Sequence, residues 1–120
     1  MDNRQLLEDL RAPTKALRHA IPETWMGFQA LHDAAMADEV LPTSLKEGVA
    51  LAISVAKRCE GCIAYHARAA AEAGATAEEV AELLGVALLM EGGPASVYAP
   101  RAFEAFLEFQ AECSLVGGRG

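Results

Sequence analysis

The chain has 120 residues and a net charge of −7, and 52% of its residues are hydrophobic although only 6% are aromatic. This length predicts a single domain, 1–120, with a core at about 20–112 and a flexible tail at 115–120. A negative net charge, without a block of lysines or arginines, argues against nucleic acid or an anionic membrane as partner. The apolar runs are too short to cross a bilayer and no signal peptide is visible, so we expect a cytoplasmic protein.

The first third of the chain is predicted to be helical. Residues 2–21 carry apolar residues at helical spacing on both sides of Pro13, which is expected to interrupt the helix. Pro22 is expected to open a second helix. Its apolar stripe, interpreted as a core or subunit-contact face, consists of Trp25, Phe28, Leu31 and Ala35. His19 and His32 have no cysteine or carboxylate at a suitable spacing, so both are interpreted as surface or packing residues.

An apolar helix follows a break at Pro42. Thr43 or Ser44 is expected to cap it, and residues 48–56 are almost all apolar, which predicts a helix buried on every side. Glu47 lies in its first turn, where a carboxylate interacts favourably with the helix dipole. Ordinary capping is therefore one interpretation of Glu47, and a functional role is the other.

The stretch richest in chemically reactive side chains is Cys59-Glu60-Gly61-Cys62-Ile63-Ala64-Tyr65-His66. Two cysteines spaced C-x-x-C at a helix start lie within reach of a disulfide, so we expect a reversible one. With a helix beginning near Gly61, Cys62 lies in the first turn, where the dipole favours a thiolate. His66 then lies one turn further on the same face, as a base. Together these groups predict a redox site.

Three other interpretations of this stretch stay open. The cysteines and the histidine can be a coincidence of small core residues, or a vestigial pair in a non-catalytic helical oligomer. They can also bind zinc together with a carboxylate, although structural zinc sites usually add a second, distant pair of ligands. Cys113 stands alone and is interpreted as a bystander thiol or a small apolar filler.

Three more helices are predicted. An alanine-rich helix at about 61–73 ends at Gly74, and the capping box from Thr76 to Glu79 opens the next. A last helical stretch follows a Gly-Gly-Pro break and runs to about Glu112, bent or restarted at Pro100. No segment alternates with a period of two. The prediction is an all-α single-domain bundle of about six to seven helices.

The run from Lys46 to Val80 resembles the carboxymuconolactone decarboxylase superfamily, and more narrowly its alkylhydroperoxidase D branch. The hallmark of that branch is a Glu, then C-x-x-C, then a His, and Glu47 precedes Cys59 by the same 12 residues. The resemblance covers roughly 20–110. It implies an all-helical homo-oligomer, a trimer or a hexamer, with thiol peroxidase or thiol–disulfide activity. No flavin, haem or nicotinamide motif is visible, and no cofactor is expected.

Under this resemblance each member of the motif has a role. Cys62 matches the peroxide-attacking thiol and Cys59 the resolving thiol, while His66 and Glu47 match a proton relay. The expected partners are a hydroperoxide substrate and an external dithiol or thioredoxin-like reductant. Alkylhydroperoxidase D has a histidine between its cysteines, where this chain has Glu60 and glycine. The parent decarboxylases act on a lactone and lack the cysteine pair, so a decarboxylase-like oligomer is the alternative.

Three further expectations concern the position of Glu47, the charges beside the thiols and the apolar surface of the chain. Glu47 is placed about 7 Å further along the helix axis than His66, so we expect it to reach the imidazole through water or to lie behind it, without touching sulfur. Glu60 is expected to raise the thiol pKa values, and Arg58 to offset part of that effect. Finally, the apolar residues exceed what one such chain readily buries, which also favours an oligomer.

Overall fold

The computed structural model describes residues 2–117, which form six α-helices. In chain order they are α1 (Asn3–Ala20), α2 (Pro22–Met36), α3 (Thr43–Lys57), α4 (Glu60–Glu72), α5 (Ala77–Glu91) and α6 (Gly93–Gly117). No strand occurs within 2–117, which confirms the all-α prediction. The predicted tail overlaps the end of α6 at 115–117, and its last three residues lie outside the described part of the chain.

Helix α4 lies at the centre of the packing, in contact with α3, α6 and α1. Apart from Ile63, its buried positions are alanines, which include Ala64, Ala67 and Ala70. Because these side chains are small, the neighbouring helices approach closely. Larger side chains from the surrounding helices complete the core, and the largest fully buried ones are Phe106, Leu51, Val55 and Val80.

The helix boundaries confirm some of the expected signals and correct others. The Thr76 capping box at the start of α5 is present with both of its hydrogen bonds. Pro13 and Pro100, however, lie inside continuous helices, so the expected interruption at Pro13 and a restart at Pro100 are wrong, and a bend at Pro100 stays a prediction. Both prolines are exposed, and water can satisfy the carbonyl group that each leaves without an N–H partner.

The predicted cap of α3 is also wrong, and Glu47 does not lie in its first turn, which contains no acidic residue. Its N-cap is Pro42, and Thr43 instead ties the helix start to the preceding loop. The hydroxyl of Thr43 donates to the carbonyl oxygen of Met36 at 2.6 Å, and its backbone N–H donates to Asp38 Oδ1 at 2.6 Å. The hydrogen bond from this backbone N–H lowers the pKa of Asp38.

Several large apolar side chains remain exposed on the single chain. Val49 and Ile53 of α3 are 41% and 55% exposed, so the prediction of a helix buried on every side is wrong for this chain alone. They lie along a shallow groove between α3 and α5 that also includes Val86 and Met90. The stripe on α2 is not core either, because α2 contacts the other helices weakly and has no buried residue.

No helix within residues 2–117 is both long and apolar enough to cross a membrane.

Candidate redox site

The turn between α3 and α4 positions the two cysteines. Arg58 ends α3 in the left-handed conformation, with φ at 54°, and the chain reverses direction there. Cys59 is the N-cap of α4, and its sulfur accepts a hydrogen bond from the backbone N–H of Cys62 at 3.2 Å. Since α4 begins at Glu60, Cys62 lies in its first turn, where the helix dipole stabilises negative charge on sulfur.

The two cysteines are joined to each other. The sulfur atoms of Cys59 and Cys62 are bonded, with their Cα atoms 5.2 Å apart, so the predicted pairing is confirmed and its reversibility stays a prediction. Zinc binding would need both sulfurs as free thiolates, so the bonded form of the pair cannot bind zinc in this way. Cys113 is a half-buried free thiol packed against the core, as expected for a filler.

A buried carboxylate contacts the histidine directly. His66 Nδ1 lies 2.7 Å from Glu47 Oε1, and Glu47 is only 4% exposed. The direct contact shows that the expectation of a bridging water is wrong. Glu47 does lie behind the imidazole, as the other expectation had it. When Glu47 is ionised it can only accept a hydrogen bond, so Nδ1 is then the donor, and in the neutral imidazole Nε2 has the lone pair.

The carboxylate between the cysteines has a partner on α6. Arg101 donates to Glu60 Oε1 at 2.7 Å, and its guanidinium also lies over the Tyr98 ring, 5.4 Å from the centroid. Arg101, and not Arg58, therefore forms the ion pair with Glu60, and the Arg58 side chain is exposed at the turn. An effect of Arg58 on the thiol pKa values stays a prediction. Arg101 lies 41 residues after Glu60, and nothing in the sequence linked the two.

Replacing Arg101 with Gln is expected to make the cysteine pair harder to reduce. Glu60 would lose its counter-charge and disfavour a thiolate beside it. Because the side chains of Arg101 and Glu60 are both about 40% exposed, solvent screens the effect. We therefore expect the reduction potential to fall by less than about 30 mV. Equilibration with glutathione buffers measures it. Arg58→Gln is the matched control, and an equal shift in that variant would remove the special role of Arg101.

Tyr65 is a neighbour of the site to which the sequence assigned no role. Its ring packs against His66, with centroids 5.0 Å apart, and against His32 of α2 at 6.4 Å. His32 is therefore a packing residue, as predicted, and the exposed His19 is a surface residue. The position of Tyr65, directly before the motif histidine, was the available signal, but its contact with α2 depends on the tertiary fold.

Comparison with known proteins places this arrangement in a family. The family model described as "Carboxymuconolactone decarboxylase family" matches residues 22–105. A crystal structure of an apo carboxymuconolactone decarboxylase family protein from Legionella pneumophila superposes with a TM-score of 0.86 and 40% identity. The match covers 90% of this chain and 96% of the Legionella chain.

Sequence relatives carry no named activity. An uncharacterized protein of Cupriavidus necator is 35% identical over 105 residues, which cover 88% of this chain and 93% of the relative. An uncharacterized protein of Haemophilus influenzae is 42% identical over 85 residues, covering 71% and 75%. The match of the family model, the Legionella structure and the whole-length relative agree. The chain belongs to the carboxymuconolactone decarboxylase family.

Proposed function

We propose that the protein is a thiol-dependent peroxidase and thiol–disulfide oxidoreductase that reduces hydroperoxides with its cysteine pair. The observation that carries the proposal is a bonded Cys59–Cys62 pair at a helix start, with His66 one turn away and held by Glu47 at 2.7 Å. A thiolate-favouring position, an oriented base and a second thiol are the groups that such a cycle needs.

The first half of the cycle oxidises Cys62. The free Nε2 of His66 accepts the thiol proton, and Glu47 stabilises the resulting imidazolium through Nδ1. The Cys62 thiolate then attacks the peroxide and breaks the O–O bond. Its sulfur becomes a sulfenic acid, and the other oxygen leaves as an alcohol after taking up the proton.

The second half closes and reopens the disulfide. The Cys59 sulfur attacks the sulfenic acid of Cys62, and water leaves as the S–S bond forms. An external dithiol or a thioredoxin-like protein reduces that bond by thiol–disulfide exchange and is itself oxidised to a disulfide. A cycle that consumes such donors suits a reducing compartment, so we propose that the protein works in the cytoplasm.

We also propose that the protein assembles as a homo-oligomer, a trimer or a hexamer. The exposed apolar residues on α2 and in the groove between α3 and α5 support the proposal. They include Phe28 at 59%, Leu31 at 66% and Met90 at 74% exposure, and a second copy of the chain would cover them in a closed, symmetric arrangement.

The test of the proposed activity is peroxide consumption in the presence of a dithiol reductant. Cys62→Ser removes the attacking thiol and is expected to lower the rate at least about a hundredfold. Cys113→Ser is the matched control, because it removes a thiol that packs against the core and is not part of the cysteine pair. This variant should retain the wild-type rate. Equal rates in wild type and Cys62→Ser would remove Cys62 from the mechanism and favour a decarboxylase-like or non-catalytic oligomer.

A further inference from the structure

A groove of about 690 Å³ runs between α1 and α4. Half of the ten lysine and arginine residues of the chain line it, namely Arg4, Arg11, Lys15, Arg18 and Arg68. With Glu8, its one acidic residue, the lining has a formal charge of +4, whereas the whole chain carries −7. A concave surface with charges of one sign concentrates ions of the opposite sign, so this groove is a positive site in an acidic protein.

Helical periodicity brings these charges together. Arg4, Arg11, Lys15 and Arg18 are spaced by seven, four and three residues, so they share one face of α1. That helix precedes residues 22–105, to which the family model matches. Four of the five cations are therefore additional to the region by which the family is recognised.

Three of the cations keep their charge available. Arg4 pairs with Glu112 at 2.7 Å and Arg11 with Glu8 at 3.4 Å. Lys15, Arg18 and Arg68 form no ion pair among the side chains that the structure describes. The groove can therefore still bind anionic groups.

The groove lies next to the redox pair, although neither cysteine lines it. Gly61, which lies between the two cysteines, and Tyr65, whose ring packs on His66, both line it. Residues 61, 65 and 68 are spaced by four and three along α4, on the face next to the one that carries Cys62 and His66. A molecule in the groove would thus lie against the first turns of α4, one helix face away from Cys62, with Leu7 and Leu10 against its apolar part.

We propose that this groove selects the small molecule that exchanges electrons with Cys59 and Cys62, and that this molecule is an organic thiol or disulfide bearing acidic groups. The inference rests on the proposed thiol–disulfide activity and specifies its substrate class. The volume lies in the range of small-molecule sites. A protein-sized acidic partner fits less well, because beyond the groove it would meet the remaining surface, whose formal charge is −11.

The exchange step balances without a further reactant. The reduced Cys62 thiolate attacks one sulfur of the bound disulfide, and the other sulfur leaves as a thiolate. Cys59 then attacks Cys62 and releases the second half of the molecule as a thiol. The protein loses two electrons and the small disulfide gains them, and the reverse sequence reduces the protein.

The test compares three disulfides of similar size but different charge, reacting with the reduced protein. Dithiodipropionate carries two carboxylates, hydroxyethyl disulfide is neutral, and cystamine carries two ammonium groups. Their intrinsic reactivities differ, so the quantity measured is the rate ratio of dianion to neutral probe in each variant. We expect Arg18→Gln and Arg68→Gln to lower this ratio about three- to tenfold. The same variants should raise the rate ratio of cystamine to the neutral probe, and high salt should weaken both effects.

Lys57→Gln is the control with the same change in net charge, because Lys57 does not line this groove. An equal fall of the ratio in that variant, or no fall in the groove variants, would overturn the inference. If no probe oxidises the protein, the thiol–disulfide part of the proposed function fails instead. The groove is then judged by binding alone, in a Cys59→Ser/Cys62→Ser double variant: the amide NMR signals of Gly61, Tyr65 and Arg68 should shift with dithiodipropionate and not with the neutral probe. Absence of that selective shift would also overturn the inference.

Discussion

Glu47→Gln is expected to lower the rate of peroxide reduction about a hundredfold or more while leaving the fold intact. The amide has the shape of the carboxylate, but its NH₂ group donates to Nδ1 of His66. The ring hydrogen is then driven to Nε2, and the nitrogen that must accept the Cys62 proton has no lone pair left for it. Loss of a positioned general base is typically worth 10²- to 10⁴-fold. The alkylation rate of reduced Cys62 against pH follows the same step.

A double-variant comparison separates this account from a purely structural one. Glu47 acts through His66, so Glu47→Gln should cost little more once His66→Phe has removed the imidazole. Thermal unfolding of each variant reports whether the buried position still packs. If the two losses multiply in the double variant, Glu47 does not work through the imidazole.

Ile53→Glu is expected to dissociate the protein into monomers. Ile53 is 55% exposed on the single chain, where a glutamate would cost little. In a symmetric oligomer whose interface covers the groove between α3 and α5, the same carboxylate would be buried without a partner. Each copy would then lose several kcal/mol of association free energy. Light scattering at micromolar concentration measures the mass, and wild type should give three or six times the 12.7 kDa of one chain.

Val40→Glu is the control for Ile53→Glu, since it makes a similar aliphatic-to-acid change at a site that is 97% exposed in the loop before α3. This variant should keep the wild-type mass. A wild-type mass of one chain would contradict the oligomer. An Ile53→Glu mass equal to that of wild type would place the interface elsewhere.

The parts of the site that the sequence predicts are local in the chain. Cys59, Cys62 and His66 lie within eight residues, so the geometry of a helix start fixes their relation. The hydrogen bond of His66 with Glu47 spans 19 residues, and the ion pair of Glu60 with Arg101 spans 41. Both depend on how separate helices cross, which spacing along one helix does not determine.

The same limit applies to surfaces. The apolar pattern of Val49 and Ile53 indicates that this face of α3 needs a cover, but not whether the same chain or another copy supplies it. The cations that line the groove are dispersed along the sequence and within an acidic total, so neither a charge block nor the net charge reveals them. Helical spacing places four of them on one face of α1, and the packing of α4 against α1 adds Arg68.

Trapping the sulfenic acid tests the central claim, that Cys62 attacks the peroxide and Cys59 resolves it. Reduced Cys59→Ser and Cys62→Ser proteins are treated with one equivalent of hydroperoxide and a dimedone-type nucleophile, and the adducts are located by mass spectrometry. Without Cys59 the sulfenic acid has no partner thiol in the pair, so Cys59→Ser should carry the adduct on Cys62, and Cys62→Ser should carry little on Cys59. Adduct formed equally fast on Cys59 in Cys62→Ser, or none on Cys62 in Cys59→Ser, would contradict the assignment.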